Sequence, residues 1–483
     1  MNTETEYEYG SLINAAWQAG GDAFITRNPA RPDHIVGAYS IADADLVRFA
    51  LDVARRAQRE WGRVPAPERT QLLLRFVEGV EGRVSDLARA ITLEQGKPLA
   101  EAQGEVMKSC AEARAMAARA YDACGTLLHA SRPDHRIAVM RRPRGVIAAV
   151  TPWNFPVLTP MRKIAPAVLF GNAMVLKPSE YTPAAACILA EVATDVFPAG
   201  VVQLVQGEAD TAAALVASSG VDGITFTGSV AVGRAIQRAA AANLAELSLE
   251  LGGKNAAVIH DTEDLDSALD HIVGAAFMCA GQRCTAISRV IVRRALYEQV
   301  QEGLVSRAQA MVVGDGMTPG VHLGPLTHER QHGRVQAMVR SGLSEGARLL
   351  TGGACVTPAG AEEGYFFAPT VLADVRPTMA VAREEIFGPV LSVLAYDSLD
   401  DGIAILNDVE YGLTSAFFSN DARAIDRFVQ ESQNGMLHIN HGTVPDNHAP
   451  FGGIKSSGVG AYSVGASGQH FYTTEHTVYW HHG

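Results

Sequence analysis

The chain has 483 residues, of which 47% are hydrophobic and 19% are charged, and this composition is typical of a folded globular protein of about three domains. The formal net charge is −12 with no basic run to offset it, which argues against binding to nucleic-acid phosphates. Six cysteines without a C-x-x-C pair indicate neither a disulfide framework nor a zinc site, and they suit a reducing compartment.

No segment of the sequence predicts export or insertion into a membrane. The opening residues, MNTETEYEYG, are acidic and polar, unlike a signal or transit peptide. The apolar stretch 157–176 contains Arg162, Lys163 and two prolines, which interrupt it as a membrane span. We therefore expect a cytoplasmic protein with no membrane partner.

The first third of the chain predicts helices without a chemical motif. Apolar residues at helical spacing, with arginines on the opposite face, mark residues 45–61. A further amphipathic stretch covers 67–95 and ends at Gly96 and Pro98, and an alanine-rich helix follows at about 100–124. We expect these helices to pack around a sheet.

Short apolar runs alternate with helical stretches in the next part of the chain. The predicted strands are 145–150, 173–177, 201–205 and 223–226, and the predicted helices are 183–197, 209–219 and 230–241. Repeated strand–helix units of this length predict an α/β fold with a parallel, doubly wound sheet of the nucleotide-binding type. Ligands bind beyond the carboxyl ends of such strands, which is where Asn154, Lys177, Glu180 and Gly228 fall.

A second α/β set follows residues 251–254. Its predicted strands are 255–259, 288–292, 366–372, 390–396, 414–419 and 436–440, and its predicted helices include 296–311 and 422–431. The tail from Phe471 to Trp480 is rich in β-branched and aromatic residues, so it predicts a strand. That strand either pairs with the sheet edge of a partner or closes its own domain.

Three stretches that follow apolar runs carry residue types suited to covalent catalysis. Cys284 lies in FMCAGQRCTA, where small residues let backbone amides approach its sulfur, although a free cysteine is often only a small buried hydrophobe. Glu250 lies in LELGGK and Asn154 lies in TPWNFP, and they offer a candidate base and an amide donor. A nucleophile, a base and a donor together form a constellation for covalent catalysis.

Together with EEIFGP (384–389) and PFGG (450–453), these stretches resemble the NAD(P)-dependent aldehyde dehydrogenase family, and in particular its succinate-semialdehyde dehydrogenase-like branch. The resemblance follows the order and spacing of the family over nearly the whole chain. It implies the aldehyde dehydrogenase fold, with a doubly wound parallel-sheet NAD-binding domain, an α/β catalytic domain and a small β oligomerisation arm.

The resemblance also implies the domain boundaries. These are 1–121 and 139–251 for the NAD-binding domain, with 453–469 packing back on it, 252–452 for the catalytic domain, and 122–138 with 470–483 for the arm. In the family this arm joins subunits, so the resemblance favours pairing of the tail with a partner and implies a homodimer or homotetramer.

The turn FTGSVAVG (226–233) follows a predicted strand and opens a helix. Gly228 and Ser229 can offer backbone donors to a pyrophosphate there, the alternative being an ordinary helix N-cap. Glu180, in KPSE, can accept from both adenosine ribose hydroxyls and would repel a 2′-phosphate, which favours NAD. Lys177 could still tolerate that phosphate, so NADP is the alternative cofactor.

Further cofactor residues come from the resemblance alone. It places Glu385 at the nicotinamide ribose and Phe387 against that end of the cofactor. The other positions that it implies are Thr151, Pro152, Trp153, Ser179, Gly207, Phe226, Thr227, Gly233 and Leu251.

The reaction that the resemblance implies begins with attack of the Cys284 thiolate on the aldehyde carbon. The oxyanion of the resulting thiohemiacetal accepts from the Asn154 side chain and the Cys284 backbone N–H. Hydride transfer to the nicotinamide leaves a thioester, and Glu250 activates the water that hydrolyses it to the free acid. Cys279 stands where the family commonly has asparagine, which is either a packing change or a source of redox sensitivity through a disulfide with Cys284.

Basic residues near these motifs predict an aldehyde substrate with an anionic tail. Arg162 matches the position at which succinate-semialdehyde enzymes of the family hold the substrate carboxylate, and Arg283 and Lys108 are expected at the same mouth. His441 begins the polar substrate loop 441–449. The alternatives are that Arg162 caps a helix or pairs internally and that Arg283 points away.

Two other functions compete with this interpretation. Met278 stands where the branch has a second arginine, so succinate semialdehyde itself is not predicted, and a broad-specificity or aromatic aldehyde dehydrogenase is the runner-up. A remote alternative is a non-enzymatic binding or structural protein on the same fold. The intact set of Cys284, Glu250, Asn154, Lys177 and Glu385 argues against that alternative.

Overall fold

The computed structural model describes residues 5–122 and 124–482. Its strands are β1 (Tyr7–Tyr9), β2 (Ser11–Ile13), β3 (Ala16–Gln18), β4 (Ala23–Asn28), β5 (Arg31–Ser40), β6 (Gly125–Leu128), β7 (His135–Pro143), β8 (Val146–Val150), β9 (Ala173–Lys177), β10 (Val202–Leu204), β11 (Gly223–Thr227), β12 (Glu246–Glu250), β13 (Ala256–Ile259), β14 (Arg289–Arg293), β15 (Arg348–Thr351), β16 (Thr370–Ala373), β17 (Val390–Tyr396), β18 (Tyr411–Gly412), β19 (Thr414–Phe418), β20 (Met436–Ile439), β21 (Ile454–Lys455), β22 (Gly458–Gly460) and β23 (Thr473–His481).

The α-helices are α1 (Ala44–Trp61), α2 (Ala66–Gly82), α3 (Val84–Gln95), α4 (Leu99–Ala117), α5 (Leu158–Leu169), α6 (Ala184–Val196), α7 (Ala209–Ala217), α8 (Val230–Ala240), α9 (Leu265–Phe277), α10 (Tyr297–Gln309), α11 (Glu329–Ser344), α12 (Ala380–Arg383), α13 (Leu399–Asn407), α14 (Ala422–Glu431) and α15 (Gly465–Tyr472). Short 3-10 helices lie at Ala118–Tyr121, Met278–Gly281 and Arg294–Leu296. No helix in the described part of the chain is long and apolar enough to cross a membrane.

The largest sheet has the strand order β22-β12-β11-β8-β9-β10-β2-β3. The five strands from β12 to β10 are parallel to one another, whereas β22 and β2 pair antiparallel with the two outer strands of this set. The chain runs outward from β8 to β9 and β10, then returns to β11 on the other side of β8. The predicted doubly wound sheet is therefore confirmed, with its topological switch point between β8 and β11.

Helices cover both faces of this sheet because alternate strand residues point to opposite faces. In β8, Ile147 and Ala149 join a core with residues of α2 to α6. Val146, Ala148 and Val150 join a second core with residues of α1, α7 and α8. Every residue of β8 is buried, so the apolar run that predicts this strand is a direct consequence of its two-sided packing.

The second large sheet has the order β15-β16-β17-β14-β13-β19-β20, and only its β15–β16 pair is antiparallel within the described residues. Helices α9, α10 and α11 pack on one face, where Leu269, Leu304 and Val335 share a core. Helices α13 and α14 pack on the other face through Leu406 and Phe428. The predicted second α/β set is thus a second, separately packed layer structure.

A separate antiparallel sheet has the order β23-β7-β6. The C-terminal tail forms β23 and pairs with β7 of its own chain, and the other edge of β23 carries no strand among residues 5–122 and 124–482. The predicted arm lies in this sheet, although β7 continues past residue 138 to Pro143. Residues 1–4, 123 and 483 of the predicted domains lie outside the described residues, and the division into domains stays a prediction.

Three predicted elements have different bounds in the structure. The predicted helix 67–95 is two helices, because Arg83 has φ −111° and separates α2 from α3. The last part of the predicted helix 100–124 is only a short 3-10 helix. The predicted strand 366–372 shortens to β16, because Pro369 lacks the N–H that a strand ladder needs.

Other elements are not visible in the sequence pattern. The N-terminal strands β1 to β5 and helix α11 are absent from the predictions. Residues 246–250, ELSLE, form β12 rather than a loop, because pairing with β11 and β22 stabilises the strand despite its two glutamates. Glu250 therefore ends a strand, in the same way as the motifs after β8 and β11.

Candidate active site

The predicted catalytic motifs converge on one cavity of about 1160 Å³. It opens at the switch point, where residues 151–154 follow β8 and residues 228–229 follow β11, and residues 251–255 join the two large sheets beside it. The predicted site residues that line this cavity are Lys108, Pro152, Trp153, Asn154, Arg162, Glu180, Thr227, Gly228, Ser229, Glu250, Leu251, Arg283, Cys284, Glu385 and Phe387.

The loop that presents Cys284 is sharply bent between α9 and β14. Cys279, Ala280 and Gly281 have left-handed backbone, with φ values of 57°, 52° and 68°. A Cβ on Gly281 would lie 2.2 Å from the carbonyl oxygen of Gly388, so only glycine fits this close approach. The bend leaves the Cys284 side chain half-buried in the cavity wall.

Asn154 is held beside this loop by a buried network. Its Nδ2 donates to the carbonyl oxygen of Gln282 at 2.8 Å. Lys97 donates to the carbonyl oxygen of Asn154 at 2.8 Å and forms an ion pair with Glu105 at 2.6 Å. A carboxamide carries two N–H donors, so the second can serve an oxyanion formed at Cys284.

Glu250 is buried at the carboxyl end of β12 and is held by two hydroxyl groups. Thr227 Oγ1 donates to Glu250 Oε2 at 3.1 Å, and Ser463 Oγ donates to Glu250 Oε1. No sequence motif marks Ser463, which lies 213 residues from the carboxylate that it contacts. This contact fixes the orientation of the candidate base.

The two glycines after Glu250, Gly252 and Gly253, let the predicted cofactor residue Glu385 approach the end of β12 closely. A Cβ on Gly252 would lie 2.2 Å from Glu385 Oε2, and the Gly253 N–H donates to Glu385 Oε1 at 3.1 Å. Burial raises the pKa of Glu385 to about 7. The carboxylate predicted to meet the nicotinamide ribose is thus fixed next to the strand end that carries Glu250.

Burial, and then the negative charge of Glu250, raise the pKa of the Cys284 thiol to about 11, whereas Arg162 and Arg283 oppose this shift. Without cofactor and substrate, the thiol is therefore protonated at neutral pH. A positive charge that enters the cavity would favour the thiolate. The site is therefore arranged to form its nucleophile when cofactor and substrate are bound.

We expect the rate of Cys284 alkylation by iodoacetamide to rise with pH beyond the range in which an ordinary thiol, with a pKa of about 8.5, has levelled off. In Glu250→Gln the pH at which alkylation reaches half its maximal rate should fall, because removal of the neighbouring negative charge favours the thiolate. The measurement is mass spectrometry of the Cys284 peptide over a pH series, with the exposed Cys355 as the internal reference. A midpoint that rises in Glu250→Gln would contradict this electrostatic account.

The opposite end of the cavity has the groups that a dinucleotide needs. Helix α8 begins after Ser229, whose side chain accepts from the Val232 N–H at 3.3 Å, and the N-terminus of this helix lines the cavity. Lys177 pairs with Glu180 at 3.2 Å, which positions a carboxylate for ribose hydroxyls. These residues fit the pyrophosphate and ribose of NAD(P), which supplies the hydride acceptor when it is bound.

The predicted Trp153 and Phe387 are joined at this end by two aromatic residues that the sequence analysis did not identify, His328 and Tyr181. Trp153 contacts Phe387 and His328 edge-to-face, with ring centroids 5.3 Å and 5.5 Å apart, and Tyr181 stacks on His328 at 4.1 Å. Gln331, in α11, donates to the carbonyl oxygen of the left-handed Phe387 at 2.7 Å. Burial lowers the pKa of His328 to about 4, so this imidazole is neutral.

Some predicted site residues do not line the cavity, namely Thr151, Lys177, Ser179, Gly207, Phe226, Gly233 and His441. Lys177 pairs with Glu180, which does line the cavity. The His441 ring stacks on His438 and lies tilted against His271, with ring centroids 5.7 Å and 5.5 Å away. His441 is exposed, and its position at the substrate mouth stays a prediction.

Two of the predicted substrate cations are already engaged within the protein. Arg162 makes a bidentate ion pair with Glu112, at 2.6 Å and 2.8 Å, and its guanidinium lies 4.3 Å from the centroid of the Phe451 ring. Lys108 donates to the Pro445 carbonyl oxygen at 2.9 Å and to the side chain of Asn447 at 3.0 Å. The alternative that Arg162 pairs internally thus matches its geometry.

Arg283 differs from both, although it is buried and lines the cavity beside the nucleophile. Its guanidinium contacts Met278 Sδ at 3.4 Å and Thr285 Oγ1 at 3.1 Å. Within residues 5–122 and 124–482 it forms no ion pair with a carboxylate. Burial lowers its pKa, but an arginine remains charged at neutral pH.

The sequence profile described as the aldehyde dehydrogenase family matches residues 17–478, and the chain belongs to this family. It is therefore an oxidoreductase that acts on aldehydes with an NAD(P) cofactor, as predicted. The chain is 35% identical to the alpha-ketoglutaric semialdehyde dehydrogenase of Bacillus subtilis (strain 168) over 486 residues, which cover 99% of each chain.

Two further comparisons agree with this assignment. The chain is 36% identical over 464 residues to the NADP(+) succinate-semialdehyde dehydrogenase of Escherichia coli (strain K12), with 95% of each chain covered. It superposes with a TM-score of 0.95 on a solved 3,6-anhydro-L-galactose dehydrogenase in complex with NAP (NADP), at 32% identity, covering 98% of this chain and 99% of that chain. The predicted family, fold and enzyme class are confirmed.

Proposed function

We propose that the protein oxidises a semialdehyde or similar aldehyde with an anionic tail to the carboxylic acid, with NAD as the preferred cofactor. The observation that carries this proposal is Arg283. A buried guanidinium without a carboxylate partner is costly, and an anionic group on the substrate would offset that cost within the cavity. The position of Arg283 directly before Cys284 suits a short substrate with its aldehyde and anion near each other.

In this proposal Arg162 supports the site rather than holding the substrate tail. Its charge is matched by Glu112 in a buried bidentate pair, so a substrate carboxylate would have to compete with an existing one. Its contact with Phe451 uses the guanidinium to shape the cavity wall. Lys108 joins α4 to the loop after Thr443, so it can add a second, partly exposed positive charge at the mouth.

The catalytic roles follow from the positions of three groups. Cys284 Sγ attacks the aldehyde carbon, and its proton leaves to solvent or to Glu250. The Asn154 side chain and the Cys284 backbone N–H donate to the oxyanion, with an effect of about 3–4 kcal/mol per donor. After hydride transfer, Glu250 takes a proton from the water that attacks the thioester, and the acid and the free thiol are released.

The preference for NAD rests on Glu180. This carboxylate lines the cavity and is held by Lys177, so it can accept from ribose hydroxyls and would repel a 2′-phosphate. Two of the relatives are described with NADP, which supports NADP as the alternative. Lys177 is the group that would offset the repulsion, which makes NADP the second cofactor.

Two of the relatives above are named for semialdehydes whose other end is a carboxylate, which supports the anionic tail. The third is named for an anhydro sugar, which carries no such charge. A broad or neutral-aldehyde specificity is therefore the second candidate function. The Arg283 guanidinium, which has no ion-pair partner within residues 5–122 and 124–482, favours the anionic substrate over this candidate.

We expect Arg283→Gln to raise the KM for succinate semialdehyde or 2-oxoglutarate semialdehyde by roughly 10- to 100-fold. This factor corresponds to the free energy of one charge-assisted hydrogen bond. The KM for butanal should change little, because butanal carries no anionic group that could bind Arg283. The measurement is NADH production by the purified protein over this panel, repeated with NADP.

The matched control is Arg330→Gln, which removes an exposed arginine that lines the same cavity at its aromatic end. It should leave the ratio of charged to uncharged substrates unchanged. Equal losses on both substrate types in Arg283→Gln would assign Arg283 to the support of the nucleophile loop. A native preference for uncharged aldehydes would favour the broad-specificity enzyme.

We also propose that the chain works as a homodimer or homotetramer in the cytoplasm, with the three-domain division given by the family resemblance. The exposed edge of β23 and the exposed Leu127, Leu128 and Tyr479 on the same small sheet support a subunit contact there. The six cysteines are free in the structure, which fits a reducing compartment.

A further inference from the structure

A group of metal-binding side chains lies far from the catalytic cavity, at the end of the β7–β23 pair. Asp134 directly precedes β7, His135 begins it, and His481 ends β23, directly opposite His135 in the strand register. One ligand atom from each of the three side chains lies within 4.8 Å of the others. We propose that Asp134, His135 and His481 bind a divalent transition-metal ion of the zinc class.

The backbone holds these side chains in place before any ion binds. The His482 N–H donates to the Asp134 carbonyl oxygen at 2.9 Å, which extends the pairing of the two strands past His135 and His481. The Asp134 carboxylate contacts both imidazoles, with Oδ1 2.9 Å from His135 Nδ1 and Oδ2 2.9 Å from His481 Nε2. The imidazole centroids are 4.9 Å apart.

These separations are close to those that a metal requires. In a tetrahedral site with bonds of about 2.0–2.1 Å, ligand atoms lie about 3.3 Å apart. The carboxylate oxygens and imidazole nitrogens are already at 2.9 Å, so small side-chain rotations would bring all three toward one ion. Strand pairing therefore already holds the three side chains close together, so little further ordering of the chain is needed when an ion binds.

The donor set selects the kind of ion. Two neutral imidazoles and one carboxylate suit zinc and its neighbours, and they suit calcium or magnesium poorly. Three protein ligands leave one position of a tetrahedral site for water. Asp134 and His481 are exposed and His135 is half-buried, so an ion can reach the site from solvent.

Binding there would have a structural consequence for the small sheet. The ion would join the end of β23, which is the last strand of the chain, to the start of β7. Fraying of an end strand costs little free energy, and a metal that binds only the paired form would oppose it. The site would thus stabilise the surface that is proposed to contact another subunit.

The test is titration of the purified protein with Co²⁺ and Zn²⁺, followed by visible absorption and calorimetry. We expect cobalt d–d bands without the charge-transfer band of a cobalt–thiolate bond, since no cysteine belongs to the site. His481→Ala and Asp134→Asn should each bind about one equivalent of ion less than the parent, or bind the ion at least tenfold more weakly. His476→Ala, which removes an exposed histidine of the same strand, is the matched control and should bind like the parent.

All three substitutions lie at exposed positions of the sheet, and unchanged NADH production would show that each variant is folded. Equal binding by the parent and His481→Ala would overturn the proposal and leave the three residues as a hydrogen-bonded clamp. A cobalt spectrum with a thiolate band that persists in His481→Ala would likewise overturn it, because it would place the ion at a cysteine.

Discussion

Replacing Cys284 by alanine is expected to lower kcat/KM for aldehyde oxidation by about 10⁴-fold or more, with the protein still folded. The Cys284 thiol lines the cavity and is the group proposed to form the covalent intermediate, and removal of a nucleophile typically costs this much or more. The loss of a half-buried sulfur should cost little stability. NADH production on the best aldehyde of the panel measures the effect, and thermal unfolding checks the fold.

Cys279 provides the matched control, since it lies in the same loop and also lines the cavity. It is fully buried, its backbone N–H donates to Glu101, and burial raises the pKa of its thiol to about 11. This position fits the packing interpretation, so Cys279→Ala should keep most of the activity. The opposite ranking of the two variants would identify Cys279 as the nucleophile.

The sequence was sufficient to locate the strands that position the site. β8, β9 and β11 are apolar because both of their faces are covered, and this produces runs that are easy to recognise. Motifs placed directly after such strands must lie at the same sheet edge, so the convergence of Asn154 and Gly228 on one cavity follows from pattern and order. Cys284 lies in the loop between α9 and β14, so only the family resemblance predicted that it joins them. β12 was not predicted as a strand, because pairing with its neighbouring strands, rather than its own residues, stabilises it.

Partners of individual side chains could not be predicted in the same way. Ser463 contacts Glu250 across 213 residues of chain, and Glu112 neutralises Arg162 across 50 residues. Both contacts depend on the packing of α4, α5 and the chain after β22, which no local pattern encodes. The sequence therefore put Arg162 first for the substrate anion and Arg283 beside it, whereas the structure pairs Arg162 with Glu112 and leaves Arg283 without an ion pair among the described residues.

A similar limit applies to the aromatic end of the cavity. His328 and Gln331 lie at the polar start of α11, a helix that the sequence analysis did not predict. Their roles become visible only once α11 packs against the left-handed Phe387. Long-range packing thus decides which residues near a recognised motif touch the ligand.

Replacing Glu250 by glutamine is expected to separate the two halves of the reaction. Glutamine keeps the size of the side chain and can still accept from Thr227, so the first half should proceed. It cannot take a proton from water, so hydrolysis of the thioester should slow by about 10²–10⁴-fold. Rapid mixing should therefore show a burst of about one NADH per active site, followed by slow turnover.

The trapped intermediate can be observed directly. The intact mass of Glu250→Gln after one turnover should rise by the acyl group of the substrate, and digestion should place it on Cys284. Ser463→Ala is the matched variant: it leaves the base in place but removes one hydroxyl that orients it, so hydrolysis should slow only about 10-fold, with a smaller burst. A loss of turnover in Glu250→Gln without any burst would place Glu250 before hydride transfer, and its main role would then be activation of the thiol.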